Sequence, residues 1–220
     1  MPSSYRPISI ASISLRHFHR ILAQRLEKLS LVDVRQRAFR CADGVAENIF
    51  VLDALLREAR SSCRGLCLAS LDLSKAFDTV THDSTTFVMR GAGLDRRFVD
   101  YIREMYIHSV TSIQTGGQNS RALRVSKGVR QGDPLSPILF NLVVDLGLKA
   151  ITNEIGFKLG SAKVNALAFA DDVILVAETP DGLRQACEAF TGRLKFAGLR
   201  LNPRKSATLT LVPSGRDNKL

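Results

Sequence analysis

Nowhere do the 220 residues run to the ~18 consecutive apolar positions that a membrane-spanning helix needs, so a transmembrane segment is excluded. The first twenty residues lack the apolar block and small-residue cleavage site of a secretory signal, and carry Arg6, Arg16 and Arg20 instead. Cysteine is scarce. Cys41, Cys63, Cys67 and Cys187 have no second Cys/His pair at zinc-ligand distance, and read as reduced, mostly buried thiols of an intracellular protein. No internal repeat and no low-complexity tract occurs. Acids are the minority charge: 21 Asp and Glu face 31 Lys and Arg, giving a net +10 and a pI near 9.9. Such a surplus favours a polyanionic partner, nucleic acid before membrane. With 45% hydrophobic and 24% charged residues, the chain has core material for one large or two small domains, which excludes a disordered or fibrous protein.

What is present divides into helices and a few strands. Apolar residues from Ile10 to Leu29 take helical spacing from about Ser14, and Ile49, Leu52, Leu55 and Leu56 stripe a second helix over Gly44–Arg60. Leu66–Leu73 reads as a buried strand that reaches Asp72 near its end. Helices follow near Asp83–Arg90 and Arg96–His108, then short strands at Ser112–Thr115 and Arg121–Val125 around Gly116-Gly117. The loop Gly128–Pro137 feeds a helix over Ser136–Glu154, with Pro137 in its first turn. Val164–Ala170 and Val173–Ala177 are apolar runs flanking Asp171-Asp172. A helix over Asp181–Phe196 stops at Gly198, and Ala207–Val212 is a final strand. The alternation predicts an α+β fold with an antiparallel sheet.

The acids carry the chemistry. Two adjacent carboxylates between apolar runs repel each other and lose hydration, so they need a cation or a proton. Adjacent strand residues point to opposite faces, so both address one site only where a tight turn falls at the pair. Read otherwise, the pair is an exposed, solvated hairpin tip. Asp72 is either a helix N-cap or a third acid at a strand end. Joined across a sheet, the three would build an oxygen-rich cage for hard divalent ions, as two-metal phosphoryl transfer requires.

RPISI (Arg6–Ile10), LDLSKAFDTV (Leu71–Val80), GVRQGDPLSPILFN (Gly128–Asn141), FADD (Phe169–Asp172) and GLRLNPRKS (Gly198–Ser206) occur in that order. The set resembles the fingers and palm of reverse transcriptases, most closely the non-LTR retrotransposon type. QRAFRCADGVAEN (Gln36–Asn48) is similar to the R2 class, which inserts into ribosomal RNA genes.

The resemblance implies a right-hand polymerase architecture: a fingers portion over 1–65, a palm over 66–220 with fingers-side insertions around 85–125, and no thumb. It also implies that Asp72, Asp171 and Asp172 bind two Mg²⁺ ions (Mn²⁺ as substitute), with the Leu73 carbonyl completing the shell. Phe77 would lie beneath the incoming sugar and reject a 2′-hydroxyl. Gln131 and Gly132 would face the nucleotide, Arg6 and Lys75 the triphosphate, and Lys205 would protonate pyrophosphate as general acid. Partners are then an RNA template, a DNA primer or target, and dNTPs, with no membrane. The resemblance also implies an intracellular protein that is nuclear at its site of action.

The same resemblance reads the chain as a fragment of a polyprotein that carries an endonuclease downstream. Two other readings compete. A two-metal nuclease could use the same acids but leaves Phe77 and Gln131 without work. A non-catalytic nucleic-acid-binding remnant would keep the fold and bind without incorporating nucleotides.

Overall fold

The structure, a computed structural model, describes residues 8–213. In chain order the elements begin with α1 (Ile13–Lys28), α2 (Gly44–Ser61), β1 (Leu66–Asp72), α3 (Ala76–Thr79), α4 (His82–Gly91) and α5 (Arg96–Ile107). Four short strands follow: β2 (Val110–Thr111), β3 (Gln114–Thr115), β4 (Gln118–Asn119) and β5 (Leu123–Arg124). The remainder is α6 (Ser136–Ala150), β6 (Phe157–Leu159), β7 (Ala162–Val164), β8 (Ala166–Phe169), β9 (Asp172–Ala177), α7 (Pro180–Phe196) and β10 (Ala207–Leu211). Helices and antiparallel strands together bear out the α+β expectation. Among the described residues, no helix is long and apolar enough to cross a membrane.

Local chemistry sets most helix starts. Ser12, Asp43, Thr81, Asp95 and Thr179 each accept a hydrogen bond from a first-turn amide through their side chains, and Pro180 occupies the first turn of α7.

The chain forms two compact units. One comprises the segments up to Leu31 and Lys75–Val143; the other comprises Val32–Ser74 and from Val144 onward. The first is helical, with Val88, Met89, Val99, Ile102, Tyr106, Leu139 and Phe140 in its core. His19 is fully buried there, its Nδ1 2.5 Å from Asp133 Oδ2 and its Nε2 2.7 Å from the Tyr101 hydroxyl. A buried imidazole needs partners on both nitrogens, and here it has them.

The second unit is built on an antiparallel sheet of order β10-β1-β9-β8. Leu66 and Leu68 of β1, Leu167 of β8 and Val176 of β9 share a core with Leu55 and Ala59 of α2 and with Phe157. The alternate residues Cys67, Ala69, Leu71, Val173, Leu175 and Ala177 are buried as well, so both sheet faces are covered. Helix α7 packs against β1 and β9. Its Phe190 lies so close to Gly147 that a Cβ there would sit 2.6 Å from the ring, so only glycine fits.

Several details depart from the sequence expectation, the short α3 among them. Helix α6 stops at Ala150, before the predicted Glu154, where the β-branched pair Ile151-Thr152 and Asn153 weaken helix propensity. The β6–β7 hairpin was not anticipated, although its two-residue loop, Gly160-Ser161, is a recognised hairpin signal. Around Gly116-Gly117 the ladder splits into β3–β4 and an outer β2–β5 pair, without the two longer strands expected. Of the four free cysteines only Cys67 is buried, and Cys41 is exposed. The thiols are thus not mostly buried, because Cys41 stands outside any regular element in the polar approach to α2.

In this unit Asp145 of α6 accepts a hydrogen bond from the Asp33 amide (2.7 Å), while its other oxygen is buried without a partner. Burial pushes its carboxyl up to about 6, from an ordinary 3.8. The folded pKa exceeds the unfolded one, so ionisation opposes folding: the penalty is absent below pH 4, grows between 4 and 6, and is full above. At about 1.4 kcal/mol per unit, the charge costs roughly 3 kcal/mol at neutral pH. Asp145→Asn should raise stability by about 1–2 kcal/mol at pH 7.5, since the new amide loses part of the gain to an unpaired N–H. Thermal melts should show that advantage vanishing at pH 4; a gain independent of pH would refute the account.

Candidate active site

The register of the sheet brings the first and last of the predicted acids together. Strand β1 pairs with β9 from Cys67↔Ala177 to Asp72↔Asp172, so the last rung opposes two aspartates. Residues directly opposite in an antiparallel pair share a face, with Cβ atoms about 4.5–5.5 Å apart. Strands β8 and β9 pair up to Phe169↔Asp172, which leaves Ala170-Asp171 as a two-residue turn. Ala170 has φ 56°, and Asp171 has no positive φ, the pattern of a type II′ hairpin that normally takes glycine first. The tight turn foreseen at the pair is thus present, with Asp171 half-buried in it and Asp172 exposed at the strand start.

Side chains as they stand do not gather three acids into a metal-holding group; none of three or more His, Cys, Asp or Glu is found among the described residues. Like charges at opposed positions repel, and this works against such a cluster forming from the protein alone. The donor set nevertheless suits a hard divalent cation, being carboxylate oxygen throughout, with two of its members in register on one face.

The Asn202–Ser206 loop is bonded to the Asp72 backbone on both sides. The Asn202 amide donates to the Asp72 carbonyl (2.8 Å), and the Asp72 amide donates to Ser206 Oγ (3.2 Å). Ser206 Oγ in turn donates to the Asn202 carbonyl at 2.9 Å, closing the loop on itself. Lys205 sits exposed in this loop, its amide bonded to the Asn202 carbonyl (3.2 Å). Leu73, buried, continues from Asp72 and forms an isolated antiparallel bridge with Leu201.

The other candidates belong to the helical unit. Phe77 is half-buried, stacked on Phe140 with centroids 4.2 Å apart and rings 19° from parallel. Its carbonyl accepts from the Val129 amide (2.8 Å), which ties the α3 turn to the Gly128–Pro137 loop. Gln131 Nε2 donates to Asp78 Oδ1 at 2.6 Å. Gly132 has φ 99°, and a Cβ there would lie 3.0 Å from the Ser9 carbonyl oxygen, so the chain's own backbone takes up the close approach that glycine permits. Ser9 also donates its amide to the Gln131 carbonyl (2.8 Å). Lys75 is exposed and left-handed (φ 46°) at the start of α3. Arg6 lies outside the described residues. Exposed Arg16, His17 and Arg20 of α1, with Ile13 and Pro134, line a depression of about 180 Å³, a basic surface on this unit.

Two polar residues escaped the sequence reading. Asp133, inside the Gln-Gly-Asp-Pro stretch, caps the approach to α6 through the Leu135 amide (2.9 Å) and holds His19. Its place beside Gln131 and Gly132 was the available signal. Gln36, fully buried, bonds the Ala170 backbone, and only its position in the Gln36–Asn48 motif marked it.

Comparison with known proteins accords with this arrangement. The family model described as "Reverse transcriptase (RNA-dependent DNA polymerase)" matches residues 1–216. A "Retrovirus-related Pol polyprotein from type-1 retrotransposable element R2" of Nasonia vitripennis is 47% identical over 219 residues, covering 100% of this chain and 21% of that protein. The Drosophila melanogaster polyprotein from type-2 retrotransposable element R2DM is 43% identical, over 94% of this chain and 20% of that one. The chain therefore spans about a fifth of the length of these curated relatives. Among solved structures, apo telomerase from Candida tropicalis truncated from its C-terminal domain superposes with a TM-score of 0.65 at 15% identity, over 96% of this chain and 46% of that one. Telomerase from the same organism with a fragment of telomeric RNA gives 0.62 at 13% identity, over 93% and 34%. These structural likenesses establish the fold, and the match of one family model to almost every residue establishes descent: the chain belongs to the reverse transcriptase family.

Proposed function

We propose that the chain is the fingers and palm portion of an RNA-directed DNA polymerase of a non-LTR retrotransposon of the R2 type. The observation that carries this reading is the Asp72↔Asp172 rung, with Asp171 in the adjoining turn. Reverse transcriptases generally use divalent metal ions. Asp72, Asp171 and Asp172 would hold two Mg²⁺, and the Leu73 carbonyl would add an oxygen. Held by these residues, such ions would supply acidification of the primer 3′-hydroxyl and charge neutralisation of the leaving pyrophosphate.

The chain's own groups do the rest. Asp171 and Asp172 fix where that charge sits. Lys205, on a loop bonded to Asp72, supplies a proton to pyrophosphate. By the likeness of their motifs, Lys75 and Arg6 would serve the triphosphate. Phe77, held by its stack on Phe140, excludes a 2′-hydroxyl, and Gln131 and Gly132 shape the nucleotide side. The net charge of +10 and the basic face of α1 suit an RNA template and a DNA primer. In the parent element the primer would be nicked chromosomal DNA in the nucleus, cut by an endonuclease of the same polyprotein.

The deciding experiment is Mg²⁺-dependent incorporation of labelled dNTPs on an RNA template annealed to a DNA primer. Incorporation that needs template and dNTP is expected. Template-primer binding without incorporation, in Mg²⁺ and in Mn²⁺, would replace the polymerase with a binding remnant.

A further inference from the structure

The segment Val32–Ala38 belongs to the same unit as the acids and runs beside the FADD hairpin. Its backbone forms a parallel bridge at Gln36↔Ala168: the Ala168 amide donates to the Arg35 carbonyl (3.0 Å), and the Arg37 amide donates to the Ala168 carbonyl (2.9 Å). Arg35 is held in turn, pairing with Asp33 at 2.7 Å and donating to Asn165 Oδ1 at 3.0 Å. Asn48 of α2 adds a bond to the Ala168 carbonyl (3.2 Å). The strap that carries Gln36 is therefore fixed on both sides before its side chain is considered.

That side chain is fully buried and spends both ends of its amide on one residue. The Ala170 amide donates to Gln36 Oε1 (2.7 Å), and Gln36 Nε2 donates to the Ala170 carbonyl (3.2 Å). Oε1 also accepts from the Ala38 amide (3.2 Å). Turn peptides at a hairpin tip are ordinarily left to water. This one is buried, satisfied by a side chain from 134 residues away in sequence, and carried by a non-glycine residue at φ 56°. A left-handed alanine costs on the order of 1 kcal/mol and persists only where the surroundings over-determine it. The amide fork accepts a single orientation of the Ala170 peptide groups, and the carbonyl it grips belongs to the peptide leading into Asp171.

We infer that Gln36 is a positioning residue for the metal site: its side-chain amide clamps Ala170 in the left-handed turn and thereby aims Asp171 and Asp172 at the shared cation. The assignment rests on the reading of those aspartates given above. A merely structural glutamine would join the strap to the sheet and leave cation affinity alone.

The test uses Mn²⁺ as probe, its binding to the chain followed by electron paramagnetic resonance. Gln36→Met keeps length and burial but removes all three side-chain bonds; it should weaken Mn²⁺ binding at least tenfold while the circular dichroism spectrum stays folded. Adding Ala170→Gly to that variant removes the steric penalty on the left-handed turn and should restore affinity to within about threefold of wild type. Unchanged Mn²⁺ affinity in folded Gln36→Met, or no recovery in the double variant, overturns the proposal.

Amide hydrogen exchange of wild-type Ala170 tests the clamp without any variant. Strong protection is expected, and exchange at the rate of an open hairpin tip overturns it. Should wild type bind no Mn²⁺ and Asp171→Asn change nothing, the reading of the acids fails, while the exchange experiment still decides whether the clamp exists.

Discussion

Asp171→Asn is expected to lower Mg²⁺-dependent dNTP incorporation by at least about 10³-fold, and Asp72→Asn and Asp172→Asn should do the same. Phosphoryl transfer asks little covalent work of a protein; catalysis is positioning and charge neutralisation, so removing one anionic ligand removes much of it. Asparagine preserves shape, which keeps the loss from being a folding defect. The geometry also supplies a control of opposite sign. Asp72 and Asp172 face each other on the final rung of β1 and β9. Like charges so placed are destabilising, hence Asp172→Asn should leave metal-free thermal stability equal to or above wild type while activity disappears. Rate is read by single-nucleotide extension with template-primer affinity measured in parallel. Activity within tenfold of wild type in any of the three variants would remove the acids from the mechanism.

Phe77→Val should relax sugar selection. The ratio of kcat/KM for a dNTP to that for the matching rNTP is expected to fall about 100-fold, chiefly through faster ribonucleotide use. A pocket wall that only excludes a hydroxyl is worth roughly 1–3 kcal/mol, which sets that scale. Phe77 also stacks on Phe140, so the smaller side chain costs stability through lost ring packing. The ratio is immune to this cost, because a reduced fraction of folded enzyme lowers both terms alike. If an active Phe77→Val enzyme discriminated as wild type does, Phe77 would be a core partner of Phe140 and nothing more.

How far the sequence foretold these features depends on the range of the forces that set them. Strand β1 and helices α2 and α7 fell within a residue of expectation, because burial pattern and caps such as Asp43 and Thr179 are local. Helix α6 was overrun because an apolar stripe continues past Ala150 although propensity falls. The three acids were legible as residue types. Their register was not: Asp72 meets Asp172 through strand pairing across 100 positions, a spacing no local pattern encodes. The same holds for His19 with Asp133 and for Gln36 with Ala170, whose partners lie 114 and 134 residues away. The roles assigned to Phe77, Gln131, Gly132, Lys75 and Lys205 came from motif likeness. Geometry has added what each touches: a ring, an aspartate, the Ser9 backbone, or solvent.

The way the Asn202–Ser206 loop fastens to Asp72 has an evolutionary corollary. One peptide unit of the loop grips the carbonyl of that aspartate and one hydroxyl grips its amide, so the loop's length acts as a gauge for the strand end. Lengthening or shortening it by a residue would slide Asp72 along its rung without altering a single acidic side chain. Point changes at Arg204 point into solvent and leave the gauge intact. Tolerance in this stretch is therefore sharply unequal: permissive toward substitution at Arg204, demanding of the hydroxyl at Ser206, and intolerant of insertion and deletion.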